Sequence, residues 1–182
     1  MDCQATGNPK TGEASMNCGV KVGSDQANVK AGVFAETPFK GGPVTKGVYG
    51  AVNANGHGLS VQHGHREHFG GTTTLGANVS LLPQGSASSL NANAYHSHNQ
   101  RLEQFGGGLN LQTPAGHAAA VGIDRIPKFD STTVHAAGNA RIYTSPSGNF
   151  QLNGTANATR HLSGPLRGKQ DFGTGISGRY NF

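Results

Sequence analysis

The chain contains no tryptophan, and phenylalanine and tyrosine together supply only 7% of its 182 residues. Charge is scarce too, at 13% of residues. So low a charge density does not fit the self-repelling, highly charged polymers that stay disordered. Hydrophobic residues reach 34%, below the share in a typical globular domain. A core made from so few apolar side chains must be thin, as in a sheet closed on itself, or the chain is only partly ordered. No apolar run is long enough for a transmembrane helix. Met1-Asp2-Cys3 offers neither the basic nor the apolar stretch of a secretory leader, so the chain reads as a cytosolic protein or as a mature chain given a start methionine.

Catalytic motifs are missing as well. Serine and threonine are plentiful, but no Gly-x-Ser-x-Gly elbow presents a nucleophile. Gly106-Gly107-Gly108 has no lysine or helix placed to complete a phosphate loop. No His-Glu-x-x-His pattern occurs. The expectation is a protein without catalytic residues, cofactor or structural metal. Cys3 and Cys18 are the whole thiol inventory, separated by Gly7-Asn8-Pro9-Lys10-Thr11-Gly12. Those turn-forming residues let the two flanks meet as a small hairpin. A Cys3–Cys18 disulfide is therefore favoured over two free thiols, with about 3 kcal/mol from loop closure, and it implies an oxidising compartment.

What the chain has in abundance is glycine, 29 residues, and a repeat. Gly47-Val48-Tyr49-Gly50-Ala51-Val52-Asn53-Ala54-Asn55-Gly56-His57 returns as Gly107-Gly108-Leu109-Asn110-Leu111-Gln112-Thr113-Pro114-Ala115-Gly116-His117, at an offset of 60. Each copy reads as strand, turn, strand. Phe69 then matches Phe129, Ser89-Leu90-Asn91 matches Gln151-Leu152-Asn153, and Phe105-Gly106-Gly107 matches Phe172-Gly173-Thr174. Offsets that grow only between strands are what loop insertions in a repeated sheet produce.

Period-two alternation runs through the chain. The segment from Thr72 to Leu82 sets Leu75, Ala77, Val79 and Leu81 against Gly76, Asn78 and Ser80. Strands are expected at Met16–Val22, Asn28–Ala35, Val44–Val52, Gly58–His65, Thr72–Leu82, Ser89–His96, Gly108–Gln112, Ala118–Arg125, Val134–Tyr143, Phe150–Thr159 and Gly173–Phe182. One face collects Leu, Val, Ile and Ala; the other collects Asn, Ser, Thr and Gln. That pattern predicts an all-β antiparallel sheet with one dry and one wet side. About ten or more strands in sequence would form an up-and-down meander closing into a β-barrel, which removes exposed edges. The organisation expected is an N-terminal segment 1–26 holding the disulfide hairpin, then a glycine-rich β domain at 27–182 of two to two-and-a-half repeats.

These stretches resemble a known family. Gly42-Pro43-Val44-Thr45-Lys46-Gly47, Ala54-Asn55-Gly56-His57-Gly58, Leu90-Asn91-Ala92-Asn93-Ala94, Phe105-Gly106-Gly107-Gly108-Leu109 and the ending Arg179-Tyr180-Asn181-Phe182 are similar to the attacins, glycine-rich antibacterial effectors of insect immunity. The resemblance spans roughly Ala27 to Phe182, and Met1 to Gly23 falls outside it. It implies a secreted protein acting mainly on Gram-negative bacteria, binding lipopolysaccharide and disturbing the outer membrane. The family supplies no catalytic residues to carry over.

Charge agrees with an anionic partner. The net charge is +5, and Arg141, Arg160, Arg167, Lys169 and Arg179 crowd the C-terminal third. At about 1 kcal/mol per basic residue near an anionic membrane, five would give at most about 5, which supports salt-sensitive docking at the surface. Nucleic acid is not expected, because few aromatics interleave with these bases. Two other classes compete. An integral outer-membrane barrel needs an unbroken apolar face and aromatic girdles, yet Leu59 and Val61 run into His63 and His65, and Val121 and Ile123 run into Arg125. A carbohydrate-binding β module would usually show exposed aromatics that this chain mostly lacks. Histidine is the residue type that gains charge in mild acid, and the chain has nine, including the spaced pairs His63/His65 and His96/His98. Binding to anionic vesicles is therefore expected to be tighter at about pH 5.5 than at about pH 7.5. A co-sedimentation series in which affinity stays flat over that range would refute the role given to the histidines.

Overall fold

The computed structural model describes residues 2–8, 12–83 and 85–180. Its strands are β1 (Asp2–Asn8), β2 (Glu13–Gly23), β3 (Ala27–Thr37), β4 (Thr45–Ala54), β5 (His57–Arg66) and β6 (Gly70–Ser80). They continue as β7 (Ser89–Asn99), β8 (Glu103–Gln112), β9 (Ala118–Ile126), β10 (Ser131–Thr144), β11 (Phe150–Ser163) and β12 (Gln170–Tyr180). The hydrogen-bonded order is the chain order, so the all-β antiparallel meander expected from the alternation is the one found. The ladder ends at β1 and β12, and no hydrogen bonds close it into a barrel among the described residues. Asn181 and Phe182, placed in the last strand by their sequence pattern, lie outside the described residues. Backbone contacts divide the chain into two units, Met1–Val79 with Tyr95–Glu103 and Ser80–Ala94 with Gln104–Phe182.

The sequence repeat is four strands long. The copy beginning at Gly47 is β4 and its turn into β5, and the copy beginning at Gly107 is β8 and its turn into β9. Phe105 and Phe172 begin matching stretches of β8 and β12. Two elements are not among the strands expected from sequence. One is β1, whose Asp-Cys-Gln-Ala-Thr-Gly-Asn lacks branched apolar residues and is held by pairing with β2. The other is a 3-10 turn at Pro127–Phe129, where proline opens the turn and Asp130 ends it at φ 43.

Register places side chains on the faces the alternation required. Across β2 to β5, Val22, Val29, Val52 and Leu59 form one row, and Cys18, Val33, Val48 and His63 form another. On the opposite face, Gly19, Gly32, Tyr49 and Gln62 align. Here the glycines have a use. A Cβ on Gly32 would stand 2.6 Å from the Tyr49 ring, and one on Gly19 would meet the same phenol. A Cβ on Gly47 would fall 2.7 Å from Phe34, and one on Gly64 3.1 Å from it. Each aromatic ring thus lies flat across glycines of its neighbours. Unit two repeats the device: His135 covers Gly122, and the Asn157 amide covers Gly173.

Burial runs opposite to the expectation of a dry core beneath the apolar face. Along β4, Thr45, Gly47, Tyr49, Ala51 and Asn53 are half-buried, while Val48 and Val52 are exposed. No large hydrophobic side chain is buried among the described residues. Leu59 remains 68% exposed and Ile176 75%. The reason is local. Glycine sockets let the polar face pack against its own backbone, and nothing in either unit layers over the apolar face.

Cys3 and Cys18 pair directly across β1 and β2 and form the disulfide, with Cα atoms 4.1 Å apart. The double variant Cys3→Ser/Cys18→Ser should destabilise this edge hairpin by about 3 kcal/mol. Amide exchange would then quicken in β1 and β2 and stay unchanged in β10 and β11.

Candidate functional site

Each unit presents an apolar face bounded at one end by cations. In unit one the face carries Val29, Val33, Val48, Val52, Leu59, Val61 and Leu75, all exposed. Towards the end where β4 begins and β5 finishes, the same face turns to Lys46, His63 and His65. In unit two it carries Leu109, Leu111, Val121, Ile123, Phe172 and Ile176. It then turns to Arg125 and Arg160 where β9 and β11 finish. The residues read from sequence as interruptions of an apolar stripe are therefore one border in each unit.

The turns divide in the same way, because alternate turns of an antiparallel meander fall at the same end of their strands. In unit one, turns 38–44 and 67–69 contain Lys40 and Glu67, and Arg66 places its guanidinium 4.7 Å over the Phe69 ring. Turns 24–26 and 55–56 contain one charged residue, Asp25. Lys21 Nζ donates to the Asp25 carboxylate at 2.6 Å, and that hydrogen bond, with the lysine charge, holds the Asp25 carboxyl below its ordinary range. In unit two, turns 127–130 and 164–169 contain Lys128, Asp130, Arg167 and Lys169. Turns 113–117 and 145–149 contain no lysine, arginine, aspartate or glutamate. In each unit the turns at one end carry charge and the turns at the other carry almost none.

Of the five cations singled out from sequence, Arg160, Arg167 and Lys169 gather at the charged end of unit two. Arg141 and Arg179 lie at its other end, in the rows of Asn153 and Gln151 on the polar face. Arg141 folds over the turn glycine Gly116, and its backbone N–H donates to His117 Nδ1 at 3.2 Å. The sequence reading missed Arg125 as a partner of this border and Lys46 as its counterpart in unit one. Tallying charge by alternate turns would have found the charged end, since strand direction alone decides where each turn falls.

The histidines are distributed across hydrogen bonds. His63 Nδ1 meets the Thr73 hydroxyl at 2.8 Å, and His96 Nε2 meets the Glu103 carboxylate at 2.8 Å. His161 meets the Thr133 hydroxyl at 2.9 Å. Among the described residues no three His, Cys, Asp or Glu side chains form a metal-holding group. The polar face of unit two contains a groove of about 520 Å³ with Ala118, Ala120 and Ala137 below and Asn110, Asn139 and Asn157 beside.

Comparison with known proteins finds family matches along nearly the whole chain. A family model described as the attacin N-terminal region covers residues 1–65, and one described as the attacin C-terminal region covers residues 67–182. The chain belongs to the attacin family, and so to the antibacterial immune effectors. Residues Met1 to Gly23, placed outside the resemblance on sequence alone, lie inside the N-terminal match. Attacin-A of Glossina morsitans morsitans is 35% identical over 87% of this chain and 79% of its own length. Attacin-B of Drosophila melanogaster is 29% identical over 96% of this chain and 83% of its own. Sarcotoxin II-1 of Sarcophaga peregrina is 23% identical over 86% and 73%. No solved structure matches.

Proposed function

We propose that this attacin is secreted and kills by a non-enzymatic route, capturing the lipopolysaccharide surface of Gram-negative bacteria and then disturbing the outer membrane. The observation that carries the proposal is the charged end of unit two, where Arg125, Arg160, Arg167 and Lys169 converge. Lipopolysaccharide is a dense array of anionic groups. Each exposed cation near such a surface contributes about 1 kcal/mol, weakened by salt. Arg125 already faces the Asp130 carboxylate at 3.5 Å, so Arg160, Arg167 and Lys169 carry most of an affinity that is useful in sum and negligible singly. No nucleic-acid partner is needed to account for the charge.

Neutralisation separates the two ends. Arg160→Gln, Arg167→Gln and Lys169→Gln should each weaken binding to lipopolysaccharide vesicles about fivefold in low salt. Arg141→Gln and Arg179→Gln should each change it less than about twofold. Equal losses at both ends, or binding indifferent to salt, would remove the proposed docking site.

A second reading has one observation in its favour. The alanine-floored groove between amide side chains offers donors and acceptors without charge, which suits a neutral saccharide. Retention on an immobilised neutral glycan, lost in Asn139→Leu and Asn157→Leu, would support a carbohydrate module. Retention unaffected by those changes, or none at all, would set it aside.

A further inference from the structure

We infer that the apolar face of each unit inserts among lipid acyl chains, with the uncharged turns leading and the cationic border remaining at the headgroups. This rests on the membrane-directed reading above and names what happens after capture.

Three observations point to lipid. First, the exposed hydrophobics share a face, and nothing within either unit covers them. Second, that face approaches the depth of a bilayer band. It runs from Val48 to Ala54 on β4 and from Val134 to Ala140 on β10, about 20 Å at the rise of a strand, with His63 and His57 of β5 at its two margins in unit one. A lipid-facing band is about 25 Å tall, and a crossing strand needs about 9–11 residues. Strands β4 to β6 and β8 to β12 have between 9 and 14. Third, the charge of the apolar face and of the turns is segregated along the strands, while Arg141 and Arg179, at the other end of unit two, stand on the polar face. Lys46, Arg125 and Arg160 continue the apolar face at one end, where long cationic side chains reach headgroups. Turns 55–56, 113–117 and 145–149 at the other end have no charged group to drag through hydrocarbon.

A second copy of this chain could also cover an apolar face. It would not require the charged turns to gather at one end, as all but turn 24–26 with its Lys21-paired Asp25 do, and the uncharged turns at the other. Acyl chains between headgroups do require it. The polar turns at the leading end belong beyond the hydrocarbon and not within it, because unpaired backbone groups cannot rest there. Insertion therefore carries them across, and each free edge of the ladder must find a hydrogen-bonding partner as it enters.

The absence of tryptophan makes the test direct. Leu59→Trp and Ile176→Trp would report from the apolar face of each unit, Thr155→Trp from the polar face, and Phe129→Trp from a charged turn. Each full-length variant is mixed with phosphatidylethanolamine–phosphatidylglycerol vesicles containing lipopolysaccharide and brominated acyl chains. The expected result is a blue shift and strong quenching at positions 59 and 176, with neither at 155 or 129. The charge-adding variant Ala115→Lys/Ser147→Lys, confined to leading turns, should still co-sediment with vesicles. Its quenching of a tryptophan at position 176 should develop about tenfold more slowly.

Vesicle binding without quenching at 59 and 176 would overturn insertion and leave surface capture standing. Loss of binding for every variant would remove capture and insertion together. A blue shift that grows with protein concentration in the absence of vesicles would assign the face to a second copy. Unchanged insertion of Ala115→Lys/Ser147→Lys would overturn the leading role of the uncharged turns.

Discussion

Tyr49 lies across Gly19 and Gly32, Phe34 across Gly47 and Gly64, and His135 across Gly122. Without those gaps a ring would have to stand away from the sheet, and overpacking of this kind costs about 1–3 kcal/mol per site. With them, the polar face packs against its own backbone and needs no second layer. A chain that is only 34% hydrophobic can then form broad sheet without a separate core. The abundance of glycine is thus a packing requirement. It weakens each strand intrinsically but provides the room in which cross-strand contacts of about 0.2–1 kcal/mol accumulate.

The same economy frees the apolar face. In most antiparallel sheets a helix or second sheet covers the hydrophobic side. In each unit here the side chains that fill space point the other way. Val52 and Leu59, neighbours across β4 and β5, both stay exposed, while Asn53 beside them donates to the Asn28 amide at 3.3 Å on the polar side. Polar groups find polar partners, and apolar groups await a partner from outside. On the membrane-directed function proposed above, that division would supply attraction first through charge and then through hydrophobic area.

Much of this could be read from the residues. Period-two alternation gives strand positions because side chains alternate by geometry, so Leu75, Ala77 and Val79 had to share a face. Turn residues between Cys3 and Cys18 gave the hairpin, and pairing brought the thiols together. The exposed side was not legible. Alternation separates two faces, but which of them is covered depends on contacts distant in sequence. The Tyr49–Gly19 contact links residues of β4 and β2 and leaves no local pattern. The cationic border was hidden for a related reason: Arg160 and Arg125 come together only when strand direction is followed through the meander, so a count along the C-terminal third merged the two ends. β1 was foreseen only as a flank of that hairpin and not by its own pattern, because its residues have little strand preference and are held by the partner strand.

The repeat spans four strands, from β4 to β8 and from β8 to β12. Parity gives that number a meaning. Adding or removing a single strand would reverse the direction of every strand after it, moving each later turn to the opposite end. Within unit two, a single strand inserted between β9 and β10 would carry Arg167 and Lys169 to the end that holds turn 113–117, and would carry turn 145–149 to the opposite end. Adding or removing an even number leaves every turn where it was. A four-strand module can therefore be duplicated or lost whole while the polarity of the remainder survives. Length in such a chain is free to vary in even steps and fixed against odd ones.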